Sequence, residues 1–190
     1  TELNYTPTLN PKKIAVVGAG PAGMAASTVL AERGHHVTLF EASDKIGGQF
    51  NIAKQIPGKE EFYETIRYFG RKIELTGVDL KLNTKATEES LAAFHEVILS
   101  TGISPRTLKI EGANHSKVLS YLDVLRDKKP VGDKVAIVGA GGIGFDVAEY
   151  LAHDGESTSQ NLAAFLEEWG IDAKNEARGG VEGIAPKNEK

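Results

Sequence analysis

Apolar runs alternate with helical patterns along most of the chain. Four runs have the length of strands and are bounded by glycine or polar residues: "KKIAVVG", "HVTLFE", "DLKLNT" and "EVILSTG". The first and last contain unbroken β-branched stretches, which are typical of strands buried on both faces of a parallel sheet. A fifth run of this kind, "KVAIVG", starts at Lys134.

Helical patterns follow these runs. One helix is predicted from Pro21 to Glu32, because proline is tolerated at a helix start and Gly34 supplies a stop. A second is predicted from 60 to 75, where apolar residues form one stripe: Phe62, Ile66, Phe69 and Ile73. Shorter helices are predicted after Thr87 as N-cap, up to about His153, and over 159–169. Strands alternating with helices predict an α/β chain with parallel sheets.

Composition and charge exclude several classes of function. The net charge is −4 and the pI about 5.8, so no nucleic-acid surface is expected. No apolar run reaches about 18 residues, so no membrane partner is expected. The chain has no cysteine, which excludes disulfides, thiolate zinc sites and iron–sulfur ligation within it. The first ten residues do not form a secretory signal, and the default expectation is a cytoplasmic protein.

The first strand leads into a G-x-G-x-x-G turn formed by Gly18, Gly20 and Gly23. The three glycines allow a tight turn, close approach of a diphosphate to the backbone, and close packing of helix on strand. Glu41 ends the next strand about 20 residues later, where a carboxylate is expected to bind ribose hydroxyls. The sequence therefore predicts a dinucleotide site, the alternative being a tight turn with no nucleotide.

The same device recurs at Gly139, Gly141 and Gly144. No apolar strand follows the helix that this second turn opens, and a parallel sheet needs one. We therefore expect two Rossmann-like units, the second incomplete, and a chain that is part of a larger protein. The predicted domains are 1–130 for the first nucleotide and 131–190 for the start of the second. A turn without nucleotide is again the alternative, and it has more weight here.

Several further stretches resemble known flavoproteins with paired FAD and NAD(P)H domains. "IGGQF" resembles a second glycine pair near the flavin phosphates, and "ILSTGISPR" resembles an A-T-G-x-x-P-R motif in which Ser100 replaces alanine. "EGANHSKVLSYLDVL" resembles the link into the NAD(P)H domain. The serine-rich "GESTSQNLAAFLEEWGID" is the most specific stretch, and over essentially all 190 residues the chain resembles the bacterial 2,4-dienoyl-CoA reductases. These are iron–sulfur flavoproteins related to old yellow enzyme and trimethylamine dehydrogenase.

This resemblance implies a function for the chain as the electron-input portion of an oxidoreductase. NADPH would pass hydride to FAD, and electrons would continue through a 4Fe-4S cluster and FMN to a dienoyl-CoA of unsaturated fatty acid β-oxidation. The cluster and FMN would lie in an N-terminal barrel domain, which these residues do not include. The family's closing strand and Gly-Asp motif are also not found, so we expect the chain alone to hold FAD weakly and not to be a competent enzyme.

The resemblance also implies the residues that bind each cofactor. For FAD they are Gly18, Gly20, Ala22, Gly23, Glu41, Gly48, Gln49, Lys59, Ala86, Thr101 and Gly102. For NADPH they are Gly139, Gly141, Gly142 and Ile143. Lys59 is equally well interpreted as a solvated lysine at a helix start, and at Ala86 the backbone rather than the side chain would make the contact.

Two other functions stay open. Trimethylamine dehydrogenase holds ADP at the position of FAD, so the chain could be an ADP-binding module without redox work. A pyridine-nucleotide disulfide reductase is disfavoured because the chain has no Cys-x-x-Cys pair. The five histidines show no ligand spacing and are interpreted as surface or hydrogen-bonded side chains, and no catalytic acid, base or metal ligand is predicted.

Overall fold

The computed structural model describes residues 4–106 and 108–182. They belong to two compact units. The first unit contains the chain up to residue 53 and residues 62–118, and the second contains residues 54–61 and the chain from 119 onward. The assignment of cofactors to domains stays a prediction.

The first unit is built on a parallel sheet of four strands. These are β1 (Lys13–Val17), β2 (His36–Phe40), β3 (Asp79–Lys81) and β4 (Glu96–Leu99), in the order β3-β2-β1-β4. The predicted α/β fold class with a parallel sheet is thereby confirmed.

Four helices connect these strands. They are α1 (Pro21–Glu32), α2 (Phe50–Ala53), α3 (Glu61–Thr76) and α4 (Glu88–Leu91). α1 ends as predicted, since Gly34 has a φ of 90° and its N–H donates to the carbonyl of Ala31. The Thr87 side chain caps α4, as expected from its position. α2 was not predicted, because its four residues carry too little pattern to indicate a helix.

The core of the first unit lies between the sheet and the helices α1 and α3. Val16 and Leu39 are fully buried on the sheet, Met24 on α1 is fully buried, and Ile73 of α3 is 3% exposed. Phe69 packs against this cluster, and Phe62 stacks on Phe50 with ring centroids 4.3 Å apart. The predicted apolar stripe of α3 is thus the face that packs inward.

The expectation that β4 is buried on both faces is wrong. β4 pairs with β1 alone and forms an edge of the sheet. Val97 is 41% exposed and Leu99 is 73% exposed. An apolar run identifies a strand, but its burial depends on neighbouring elements that the run does not encode.

The second unit is helical. It contains α5 (Tyr121–Leu125), α6 (Gly142–Ala152) and α7 (Leu162–Glu168), with a 3₁₀ turn at Thr158–Gln160. α5 was not predicted, although Ser120 and Asp123 form a capping box at its start. The helix predicted over 159–169 is divided, because the Asn161 side chain accepts a hydrogen bond from Ala164 N–H and starts α7 afresh.

The strand predicted from Lys134 is not formed. Residues 134–140 have no strand pairing, and Val138 is 75% exposed. A strand needs a partner for its backbone N–H and C=O groups, and the described residues of this unit offer none. Near the end of the described residues Ile171 forms an isolated antiparallel bridge with Val181. The part of the second predicted domain from residue 183 onward lies outside the described residues.

The described helices include none that is long and apolar enough to cross a membrane.

Leu39→Ala should lower the free energy of unfolding of the chain by about 2–5 kcal/mol, because Leu39 is fully buried between sheet and helices. Urea denaturation measures this change. The matched control is Leu75→Ala on α3, whose side chain is 69% exposed; its effect should stay within about 0.5 kcal/mol. Equal effects at the two positions would contradict the described core.

Candidate dinucleotide sites

The carboxyl ends of the four strands bring predicted FAD residues of the first unit, among them Gly18, Glu41 and Thr101, to one edge of the sheet. Val17 of β1 lies in register with Phe40 of β2 and with Leu99 of β4. The chain leaves β1 toward β2 on one side, and β4 returns on the other side. The crevice between β1 and β4 is therefore a topological switch point, where ligands bind in open α/β sheets.

The first glycine turn closes tightly onto its own helix. Gly18 has a φ of 101°, a conformation that side chains rarely adopt. A Cβ at Gly23 would lie 1.8 Å from the Gly18 carbonyl oxygen, so a side chain at this position is excluded. Gly20 is the N-cap of α1, and Ala22 and Gly23 follow in the first turn, where amides have no partner within the helix.

The second glycine pair packs against this turn. Gly47 N–H donates to the Ala19 carbonyl at 2.8 Å, and a Cβ on Gly48 would lie 2.9 Å from the Cα of Gly20. A Cβ on Gly20 would find its nearest neighbour, the Gly48 Cα, at 4.0 Å. Gly48 is therefore packed tightly against the first turn, whereas the backbone at Gly20 is open to a group that approaches it closely. Gln49 lies beside them with an exposed side chain.

The Glu41 carboxylate turns toward the glycine turn. Its Oε2 accepts a hydrogen bond from Ala19 N–H at 2.8 Å, and its Oε1 accepts one from Ser43 N–H at 2.8 Å. Burial alone would raise the pKa of Glu41, but the hydrogen bonds from Ser43 and Ala19 outweigh it and hold the pKa below the ordinary value. Glu41 is consequently ionised at neutral pH and positioned beside the amides of the turn.

Two serines support this arrangement, and sequence reasoning gave neither a role. The Ser43 hydroxyl donates to Glu41 Oε1 at 2.8 Å. The Ser100 hydroxyl lies 2.9 Å from the carbonyl oxygens of both Val17 and Gly18, so it ties the end of β4 to the first turn. The replacement of alanine by Ser100 in the "ILSTG" stretch was the available signal for the second of these contacts.

The remaining predicted FAD residues divide into two groups. Thr101, Gly102 and Ala86 follow strand ends, with Gly102 at a φ of 75° and Ala86 half-buried in the loop after β3. Lys59 instead belongs to the second unit, where its ammonium lies 2.5 Å from Asp146 Oδ1. The cofactor contacts of all four stay predictions.

The second glycine turn has the same backbone form as the first. Gly139 has a φ of 118°, Gly141 is the N-cap of α6, and a Cβ at Gly144 would lie 2.2 Å from the Gly139 carbonyl oxygen. Gly142 and Ile143 form the first helical turn, and both are exposed. The turn therefore keeps its shape although no strand precedes it.

Both turns fit the diphosphate of a dinucleotide. Each places a helix N-terminus, with its free amides and positive dipole end, next to backbone that carries no side chain. In the first turn Glu41 adds a hydrogen-bond acceptor for sugar hydroxyls. The arrangement is suited to binding and orienting a nucleotide.

The histidines and other metal-binding residue types do not form a metal site. No group of three His, Cys, Asp or Glu side chains gathers within residues 4–106 and 108–182. His35 and His95 accept hydrogen bonds from Lys12 N–H and Lys13 N–H through Nδ1, at 3.2 and 3.0 Å. They are hydrogen-bonded side chains at the start of β1, away from the carboxyl ends of the strands.

Fold and turns together define a dinucleotide-binding domain of an oxidoreductase. The family profile described as "Pyridine nucleotide-disulphide oxidoreductase" matches residues 12–168, and the chain belongs to this family. The family implies binding of FAD and NAD(P)H, which agrees with the two turns. Disulphide chemistry is not available to this chain, because it contains no cysteine.

Similar proteins are oxidoreductases of greater length. The chain is 37% identical to a metal reductase of Desulforamulus reducens over 85% of the chain and 25% of that protein. It is 41% identical to a cinnamate reductase of Clostridium sporogenes over 78% of the chain and 22% of that protein. It also resembles the structure of a 2-naphthoyl-CoA reductase complex, with a TM-score of 0.74 and 40% identity over 78% of the chain and 23% of that structure. The chain spans about a quarter of the length of these relatives.

Glu41→Gln should weaken binding of an adenine dinucleotide to the first turn, by about tenfold for one lost charge-assisted hydrogen bond. Isothermal titration with ADP measures the affinity of the chain. Glu32→Gln, at the exposed end of α1, is the control with the same change of charge and should leave the affinity unchanged. An unaltered affinity for ADP in Glu41→Gln would contradict the role of this carboxylate.

The stability of the chain should depend on Glu41 at neutral pH and not in acid. Because its pKa is lowered in the folded state, its stabilising effect is complete above the ordinary value of 4.5 and is lost as the pH falls through the folded value. The difference in the free energy of unfolding between wild type and Glu41→Gln, measured by urea denaturation, should therefore be larger at pH 7 than at pH 3. A constant difference would contradict the described hydrogen bonds.

Proposed function

We propose that this chain is the electron-input portion of a 2,4-dienoyl-CoA reductase, with FAD at the first glycine turn and NADPH at the second. When bound, these nucleotides would supply hydride and electron transfer. The observation that carries the proposal is the recurrence of one backbone turn at Gly18 and at Gly139, each with a helix start and a glycine that excludes a side chain. Two such turns suit a protein that binds two nucleotides.

The chain's own residues would bind and orient these nucleotides. The amides of Ala22 and Gly23 would face the diphosphate of FAD, and Glu41 would accept hydrogen bonds from its ribose. Ser43 would hold Glu41 in this orientation, since its amide and hydroxyl both donate to Oε1. Gly142 and Ile143 would supply the corresponding amides for NADPH.

The resemblance and the relatives both support the proposed substrate class. The names of two relatives are those of reductases acting on cinnamate and on 2-naphthoyl-CoA. Cinnamate is a conjugated acid and 2-naphthoyl-CoA a thioester of an aromatic acid, so a conjugated dienoyl-CoA combines features of both. FMN, a 4Fe-4S cluster and the substrate site would belong to a further domain, consistent with the greater length of the relatives. A cytoplasmic location stays a prediction.

A second candidate is an ADP-binding module without redox work. The first turn alone would serve ADP as well as FAD, because the contacts proposed for Gly20 and Glu41 involve the ADP half of the cofactor. Leu99 and Ile103, which flank the predicted flavin-side residues Thr101 and Gly102, are both 73% exposed, and this lack of cover for a flavin ring favours the ADP module. The second glycine turn favours the reductase.

Analysis of the natural protein that carries this chain separates the two candidates. The purified protein, after denaturation, should release both FAD and FMN, and it should oxidise NADPH when 2,4-hexadienoyl-CoA is added. Chromatography of the released nucleotides and the absorbance of NADPH at about 340 nm, a general property of reduced nicotinamides, give the two readouts. Release of ADP with FMN, without NADPH oxidation, would replace the reductase with the ADP module.

The substrate class is tested in the same assay. Cinnamate and crotonyl-CoA serve as comparison substrates, the first lacking the thioester and the second lacking the second double bond. We expect the dienoyl-CoA to give the highest kcat/KM. If NADPH is oxidised with cinnamate but not with the dienoyl-CoA, the electron-input role is kept and the dienoyl-CoA assignment is rejected.

A further inference from the structure

Lys59 forms an ion pair with Asp146 on the helix that follows the second glycine turn. Lys59 Nζ is 2.5 Å from Asp146 Oδ1, and the two side chains are 38% and 28% exposed. Asp146 lies on α6, four residues after Gly142 at the helix start. Four residues of helix rise about 6 Å, so the carboxylate lies about one turn from the amides proposed to bind a diphosphate.

An unpaired carboxylate at this place would oppose an anionic ligand. Two like charges about one helical turn apart repel each other where water is partly displaced, and salt weakens the repulsion. Asp146 therefore conflicts with the function of the helix start unless its charge is compensated. Lys59 provides that compensation in the described structure.

The position of Lys59 is fixed by its neighbours in the segment 54–61. Gly58 N–H donates to the Ser157 hydroxyl at 3.3 Å, and the Ser159 hydroxyl donates to Glu60 Oε2 at 2.6 Å. These contacts lie on both sides of Lys59 in the chain. The serine-rich stretch thus holds the segment so that the lysine side chain reaches α6.

We propose that Lys59 is a positioning residue of the second nucleotide site, which neutralises Asp146 so that α6 can accept the diphosphate of a nicotinamide nucleotide. The proposal rests on the proposed function, in which the second turn binds NAD(P)H. It gives Lys59 a role at the second turn in place of the expected contact with FAD. It also gives the serine-rich stretch a role, which is to support Lys59.

Charge compensation and a purely structural ion pair predict different effects of two substitutions on nucleotide affinity. A structural pair is broken equally by Lys59→Met and by Asp146→Asn, and both would then impair the site. Charge compensation predicts opposite effects, because Lys59→Met leaves the carboxylate unpaired whereas Asp146→Asn removes it. The double variant should then behave nearly as wild type.

The experiment measures the affinity of the natural protein that carries this chain for NADP⁺, which cannot donate hydride to the flavin, by isothermal titration calorimetry. Lys59→Met should weaken binding about fivefold at about 50 mM salt, and the loss should shrink at about 500 mM salt, where screening is stronger. Asp146→Asn and the double variant should bind as tightly as wild type or more tightly. Lys59→Arg should restore the affinity, since it keeps the charge. Flavin content and thermal unfolding midpoints serve as controls for folding.

The outcomes separate this proposal from the proposed function. Equal losses of affinity in Lys59→Met and Asp146→Asn, or a loss in Lys59→Met that does not depend on salt, would overturn the role of Lys59 while leaving the NADPH site intact. A loss of bound FAD in Lys59→Met alone would return Lys59 to the first site. Failure of the wild-type protein to bind NADP⁺ would overturn both proposals.

Discussion

The first unit depends on the contact between Gly23 and the carbonyl of Gly18. The helix α1 can start directly above β1 only because no Cβ stands between them, the excluded position lying 1.8 Å from the carbonyl oxygen. This contact sets the direction of α1 and places its first amides at the strand ends. Glu41, the Gly47–Gly48 turn and Ser100 are all arranged around the same few atoms of backbone.

The two glycine turns show that this geometry is local. Gly139, Gly141 and Gly144 adopt the form of the first turn although residues 134–140 form no strand. The spacing of glycines and the start of a helix are therefore sufficient for the turn. The sheet is required for the residues around the turn. An example is Glu41, which directly follows β2 and thereby lies beside the first turn.

Sequence patterns predicted the elements whose signals are local. The bounds of α1, the stripe of α3 and the cap at Thr87 follow from glycine, proline and apolar spacing within a few residues. Burial of β4 and formation of a strand at Lys134 depend on partners distant in the chain, and both expectations were wrong. Within the site, the positions of Gly20 and Glu41 followed from the motif. The contacts of Ser43 and Asp146 had no signal, because a serine or an aspartate near a helix is common and its partner is set by the fold.

Both carboxylate oxygens of Glu41 accept hydrogen bonds from the chain itself, Oε2 from Ala19 and Oε1 from Ser43. A carboxylate has about four acceptor positions, so Oε2 can accept a further hydrogen bond from a ribose while these bonds are kept. Because the carboxylate is already ordered, binding costs little of its conformational entropy. When the sugar leaves, the hydrogen bonds from Ala19 and Ser43 remain, so the charge is not left without a partner. The sugar site is in this sense preorganised, so the free energy of binding is not reduced by a cost of ordering this side chain.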